Sequence, residues 1–159
     1  MKQSANEGRA VRGAAHPLWA QDSVIPPAVV LAILTVGDGY ALQLRDDVPT
    51  IASPGRWALF GGSLGDGEAP ALGIRREILE ELGLDVTDWR HLWTVRYYDV
   101  FWNATVRHTI FAADVTSAWT GHVLREGQMA DVFPIDALPE PMDPIVCALL
   151  ERYHYQIRR

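Results

Sequence analysis

One segment of this chain has the period of a helix and stands between stretches with the composition of strands, an arrangement that admits few folds. In residues 70–82, Ile74, Ile78 and Leu82 recur at i, i+4 and i+8, with Arg75, Glu77, Glu80 and Glu81 off that stripe. Gly83 is the expected stop. Upstream, residues 28–36 are rich in β-branched side chains and reach Gly37-Asp38-Gly39, after which residues 40–45 resume as a mixture of apolar and polar types. That is the pattern of a hairpin with a buried first strand. Residues 46–56 hold Pro49, Ser53, Pro54 and Gly55 and read as a loop; residues 57–60 follow as a short strand ended by Gly61 and Gly62. Beyond the helix, residues 89–102 and 105–115 are aromatic and β-branched and flank Asn103-Ala104, so they read as two long neighbouring strands. Residues 129–135 read as a short strand, and Pro139, Pro141 and Pro144 precede a helix over about residues 144–155. The expected fold class is α/β (α+β), with a mixed central sheet covered by helices on two faces.

At 159 residues the chain has the length of one domain, taken as residues 23–159, with residues 1–22 as a mobile arm that is small, polar, basic and without periodicity. Apolar residues at 48% and charged residues at 21% exclude disorder throughout. The longest largely apolar run, residues 25–36, contains Pro26 and Pro27 and falls short of the ~20 residues of a membrane span. Residues 1–20 lack the ~7 to 15 apolar residues of a secretory signal, so no membrane and no export are expected. Cys147 is the single cysteine, which excludes an internal disulfide and fits the cytoplasm. A net charge of -6 with no basic cluster excludes polymeric nucleic acid as a partner.

Glu77, Glu80 and Glu81 stand at i, i+3 and i+4, which places three carboxylates within one helical turn, ~5 to 6 Å apart at their Cβ atoms. Like charges that close repel unless water solvates them or a cation neutralises them. Oxygen donors of this kind select Mg²⁺, Mn²⁺ or Ca²⁺ over zinc or copper. Arg75 and Arg76 offer another account, a salt-bridged solvent face, and the triad alone does not choose between the two. Ahead of it, residues 61–68 form a glycine-rich strand-to-helix loop of the sort that exposes backbone amides and carbonyls to a phosphate or a metal.

Taken together, the segment reads Gly62, five residues, Glu68, seven residues, Arg76-Glu77-Ile78, one residue, Glu80-Glu81, one residue, Gly83-Leu84. It resembles the Nudix box of the Nudix hydrolases at every defined position, strictly over residues 62–84 and more loosely over most of residues 28–155. The resemblance implies the Nudix α/β/α sandwich and hydrolysis of a nucleoside diphosphate linked to a further group, NDP-X, with Mg²⁺ (or Mn²⁺). It implies Glu77, Glu80 and Glu81 as metal ligands, one of them, left open, taking a proton from the attacking water. The Gly62 carbonyl would be a further ligand, Arg76 would orient the carboxylates, and Glu68 would hold Arg76. Divalent ions suit this chemistry because they neutralise the diphosphate and lower the pKa of the attacking water. Many members also place an acidic residue near Glu126, just before the last strand; a solvated loop glutamate is the other reading. Ala69 stands where a Ser or Thr cap is common, and Gly73 lies mid-helix, either to admit close helix-to-sheet packing or as a tolerated poor residue.

Trp57, Trp93 and Trp102 read as core or sheet-face residues, any one of which could stack on a base or sugar. His91 and His108 have no second ligand at metal spacing and read as structural, and Cys147 as a small core residue. Two rival functions are a sugar-releasing enzyme attacking carbon, whose relatives depart from the standard box, and a non-catalytic nucleotide sensor, whose relatives have degraded boxes or an attached DNA-binding domain. The isopentenyl diphosphate isomerase branch is disfavoured for want of its strand cysteine. The expected partner is a small nucleotide substrate, with a homodimer left open. The choice of X is assigned to loops such as residues 46–56 and 117–128.

Overall fold

The β-branched run becomes β1 (Val29–Val36), which turns at Gly37 and Asp38 into β2 (Gly39–Leu44). In the computed structural model, which describes residues 28–158, β1 organises the sheet. It pairs antiparallel with β2 at Leu34, Thr35 and Val36, antiparallel with β4 (Phe60–Ser63) at its other end, and parallel with β6 (Ala104–Asp114) along the opposite edge. β5 (Arg90–Asp99) lies outside β6, while β3 (Trp57–Ala58) and β7 (Met129–Phe133) both pair with β2. Among the described residues the result is the expected mixed sheet, seven-stranded, with α1 (Pro70–Leu82) on one face and α2 (Pro144–Gln156) on the other. The arm expected over residues 1–22 lies outside the described residues. Among the described residues no helix is long and apolar enough to cross a membrane.

Period-two alternation along β1 divides the core. Val30, Ala32 and Leu34 meet Ile74, Ile78 and Leu82 of α1 together with Phe111 and Ala113, whereas Ile33 meets Leu149 and Leu150 of α2 together with Tyr40 and Ile110. Each fully buried aliphatic side chain of this size stabilises the fold by about 1.5 to 3 kcal/mol. α1 starts with Pro70 in its first turn and no side-chain cap from Ala69, and it stops at Gly83, whose φ of 66° lets its N–H close on the Leu79 carbonyl. α2 is capped by Asp143, which accepts from the Ile145 N–H. A side chain at Gly73 would run into Leu64 of the lead-in loop, so the residue admits close packing, by that loop and not by the sheet.

Three expectations shift. The strand expected over residues 57–60 is interrupted at Leu59, because β3 pairs with β2 and β4 with β1, and Gly61 and Gly62 do not end it but lie within β4. The long strand expected to reach Trp102 stops at Asp99, whose Oδ1 accepts from the Phe101 and Trp102 N–H groups and turns the chain. Finally, β5 carries a bulge between His91 and Trp93: His91 pairs with Phe111 and Trp93 with Ile110, leaving Leu92 extra. Leu92 and Trp93 both pack toward α2, so Trp93, Val95 and Tyr97 face that side.

Candidate active site

β4 and α1 meet at Gly62. A Cβ there would lie 2.6 Å from Glu77 Oε2, so the bare backbone at Gly62 is what lets the Glu77 carboxylate rest against the strand. One turn further on, Glu81 is 1% exposed, not on a solvated face. Its Oε2 accepts from the Gly61 N–H at 2.8 Å and its Oε1 from Gln43 Nε2 at 3.2 Å. Burial pushes the Glu81 carboxyl up to about 8, against the pull of the Gly61 and Gln43 hydrogen bonds, and the charges of Glu126 and Glu77 push the same way as burial. Glu77 is also raised, first by burial and then by Glu80 and Glu126, with Arg76 opposing.

Arg76 uses all five N–H donors of its guanidinium. Nε and Nη2 grip Glu68 at 2.8 Å each, Nη2 also reaches the Ser63 carbonyl at 3.1 Å, and Nη1 joins Glu77 at 2.7 Å and Glu80 at 3.1 Å. The hydrogen bonds from Arg76 hold the Glu68 carboxyl down at about 2. By contrast, Arg75 turns away to an exposed pair with Asp85. Glu80 itself is exposed.

Glu126 is exposed, yet it is electrostatically coupled to both Glu77 and Glu81. Its loop is tied to the end of α1: the Val123 N–H donates to the Leu82 carbonyl and the Arg125 N–H to the Glu81 carbonyl, each at 2.9 Å. The helix's last carbonyls thus position this loop. The structure therefore brings Gly62, Arg76, Glu77, Glu80 and Glu81 together, with Glu126 beside them. Among the described residues no three His, Cys, Asp or Glu side chains converge as a metal-holding group, since Arg76 holds Glu77 and Glu80 while Glu81 points to Gly61 and Gln43.

Gln43 was not singled out from the sequence. It is 1% exposed and ties the Leu59 carbonyl of the strand break to Glu81. Its signal was a lone polar residue in an apolar strand. Trp57 is in the α2-side core against Phe133, Trp93 lies beneath the Arg152 guanidinium, and Trp102 is at the β5–β6 turn rather than in a strand. His91 touches Phe111, and Cys147 is half-buried near Glu151.

The NUDIX domain family model matches residues 25–152. No curated protein compared with the chain matches it. Among solved structures, the MutT NUDIX hydrolase from Burkholderia pseudomallei is 22% identical with a TM-score of 0.64, covering 79% of this chain and 96% of its own. The MutT protein from Methanosarcina mazei Go1 is 18% identical with a TM-score of 0.71, covering 84% and 96%. The NUDIX domain of Shewanella oneidensis NrtR, solved with ADP ribose, is 18% identical with a TM-score of 0.68, covering 82% and 88%. At these identities the likeness establishes the fold.

Proposed function

The chain belongs to the Nudix hydrolase family, and on that premise we propose that it cleaves the pyrophosphate bond of an NDP-X substrate by water attack at phosphorus. The observation that supports this most is the Arg76 network, which links Glu68, Glu77, Glu80 and the glycine strand in one constellation, with Glu81 and Glu126 alongside. A helix face that was merely solvated would not bury Glu81 or raise it by the charges of its neighbours.

Nudix hydrolases use divalent metals, and the donor set here fits one. Every candidate donor is oxygen, and besides burial the neighbouring carboxylates raise the proton affinity of Glu77 (through Glu80 and Glu126) and of Glu81 (through Glu126 and Glu77), as happens where positive charge is short. Glu77, Glu80, Glu81 and the Gly62 carbonyl would hold Mg²⁺ (or Mn²⁺), which would neutralise the diphosphate and acidify the attacking water. The chain's own residues do the rest. Arg76 fixes Glu77 and Glu80 in place, Glu68 fixes Arg76, and one of the three helix glutamates accepts the proton of the attacking water. We also take residues 23–159 as one domain, and place the enzyme in the cytoplasm.

EDTA should abolish turnover, and Mg²⁺ or Mn²⁺ should restore it; full activity in a metal-free preparation would refute the metal assignment. A panel of NDP-sugars, dinucleoside polyphosphates, NADH, ADP-ribose and NTPs identifies X. On the substrate found, turnover in ¹⁸O-labelled water should put the label into a phosphate-bearing product. Label in a released sugar alone would mean attack at carbon.

A further inference from the structure

The loop that carries Glu126 is fastened on both sides of that residue. Ahead of it, between the Val123 and Arg125 N–H bonds to the last carbonyls of α1, Leu124 packs against the core cluster beneath that helix. The Arg125 side chain then turns back onto α1. Its Nη1 donates to the Leu79 carbonyl at 3.3 Å, the same oxygen that receives the Gly83 N–H. A Cβ at Gly83 would stand 3.1 Å from Arg125 Nη2 and 3.4 Å from Cζ, so the helix stop supplies room for the guanidinium as well as the left-handed turn.

Beyond Glu126 the chain is fastened to β2. Gly127, at φ 85°, passes so close to that strand that a Cβ would lie 2.9 Å from the Leu44 carbonyl oxygen and 3.2 Å from Gln43 Oε1. The Gln128 N–H donates to the Leu44 carbonyl at 2.8 Å, and Gln128 Nε2 to the Arg45 carbonyl at 2.7 Å. β2 is also the strand from which Gln43 holds Glu81. Glu126 therefore stands on a span between the helix that carries Glu81 and the strand that holds it.

Charge explains why the helix-side anchor is an arginine. α1 has Glu80 and Glu81 in its last turn and no basic residue there, although the negative end of a helix dipole calls for a cation. Arg125 brings that cation from the loop. Committed to the helix end, it forms no ion pair with the adjacent Glu126, whose carboxylate has no hydrogen bond or ion pair among the described residues. The charge of Glu126 is thereby left to act on Glu77 and Glu81.

We propose that Arg125 is a positioning residue: by clamping the loop to the Leu79 carbonyl it sets the Glu126 carboxylate toward Glu77 and Glu81, and it acts on turnover through Glu126. The inference rests on the pyrophosphate reading of the box. Because the Arg125 bond is exposed, its loss should show in rate before it shows in stability.

The test is a double-mutant cycle on the full chain with the substrate that the panel identifies. Arg125→Ala should lower kcat about tenfold with KM within about twofold of wild type, and Arg125→Lys, which keeps a charge at the helix end, should recover part of that loss. In a Glu126→Gln background the same Arg125→Ala change should have no further effect on kcat. Hydrogen exchange of the Val123 amide should quicken in Arg125→Ala while the thermal midpoint stays near wild type. Equal fold losses in both backgrounds would make Arg125 merely structural and overturn the proposal, as would wild-type kcat for Arg125→Ala. Wild-type kcat for Glu126→Gln would overturn it too, since nothing would be left to position. If wild type hydrolyses no member of the panel, the pyrophosphate reading fails, and the Val123 amide decides the clamp alone: faster exchange in Arg125→Ala sustains it and unchanged exchange overturns it.

Discussion

Glu81 in α1 and His108 in β6 are titratable side chains on opposite faces of one sheet, 1% and 3% exposed. Burial opposes the charged form of each, raising the carboxyl and lowering the imidazole. Their surroundings differ. Glu81 accepts two hydrogen bonds and sits among Glu77 and Glu126, so negative charge gathers around it in excess of what Arg76 supplies. His108 has a neutral ring stacked on it and carboxylates at a distance. The first arrangement asks for a cation, while the second keeps neutral groups available for hydrogen bonding. Two polar positions with similar burial therefore serve different chemistry, and the partner list separates them where burial does not.

The largest expected effect breaks the α1 side. Glu81→Gln or Glu77→Gln should lower kcat by about 10² to 10³, as loss of a group acting on transition-state charge does, whereas Asp85→Asn, which removes only the exposed pair with Arg75, should stay near wild type. Steady-state kinetics of the three variants checks this; wild-type rates for Glu81→Gln would refute the assignment. Next, Arg76→Lys should cost about 10- to 100-fold in activity or metal affinity, since an ammonium cannot reproduce five directed donors. Metal titration of that variant reads it, and unchanged affinity and rate would reduce Arg76 to a surface ion pair.

The smallest effect probes the other side through pH. The folded-state pKa of His108 is lowered below its usual 6.5. Above that value both folded and unfolded chains hold the ring neutral and no stability is lost. As pH falls below about 6.5 the unfolded chain takes up a proton that the folded one resists, so stability drops by up to about 1.4 kcal/mol per pH unit until the folded pKa is reached. Denaturant unfolding of wild type and His108→Gln between pH 7.5 and 5.5 should show a steeper decline in wild type. Parallel curves would mean that the ring titrates normally.

The helix of residues 70–82 and its stop at Gly83 were legible because period and cap are local signals. The box residues were legible as a set, but the sides they take were not fully read. Glu81 stands at i+3 from Ile78 and i+7 from Ile74, which puts it beside the apolar stripe, and that spacing could have announced its burial. The break at Leu59 was out of reach, since it follows from β3 and β4 choosing different partners far away in sequence. His108 was read as structural because its neighbour Tyr97 is fixed by strand register, and register here depends on the bulge at Leu92.

That bulge lets two reading frames share one strand. Leu92 is the extra residue that turns Trp93, Val95 and Tyr97 toward α2 and leaves Thr94, Arg96 and Tyr98 on the opposite side. Removing Leu92 would leave His91 opposite Phe111 and Trp93 opposite Ile110 in an unbroken ladder, so every position from Trp93 onward would keep its partner and its face. An insertion beyond the bulge that no second bulge absorbed would instead exchange the two sets and bring Arg96 to the side where Tyr97 now lies. The strand therefore absorbs a one-residue change of length at Leu92 while the side chains that meet α2 stay where they are.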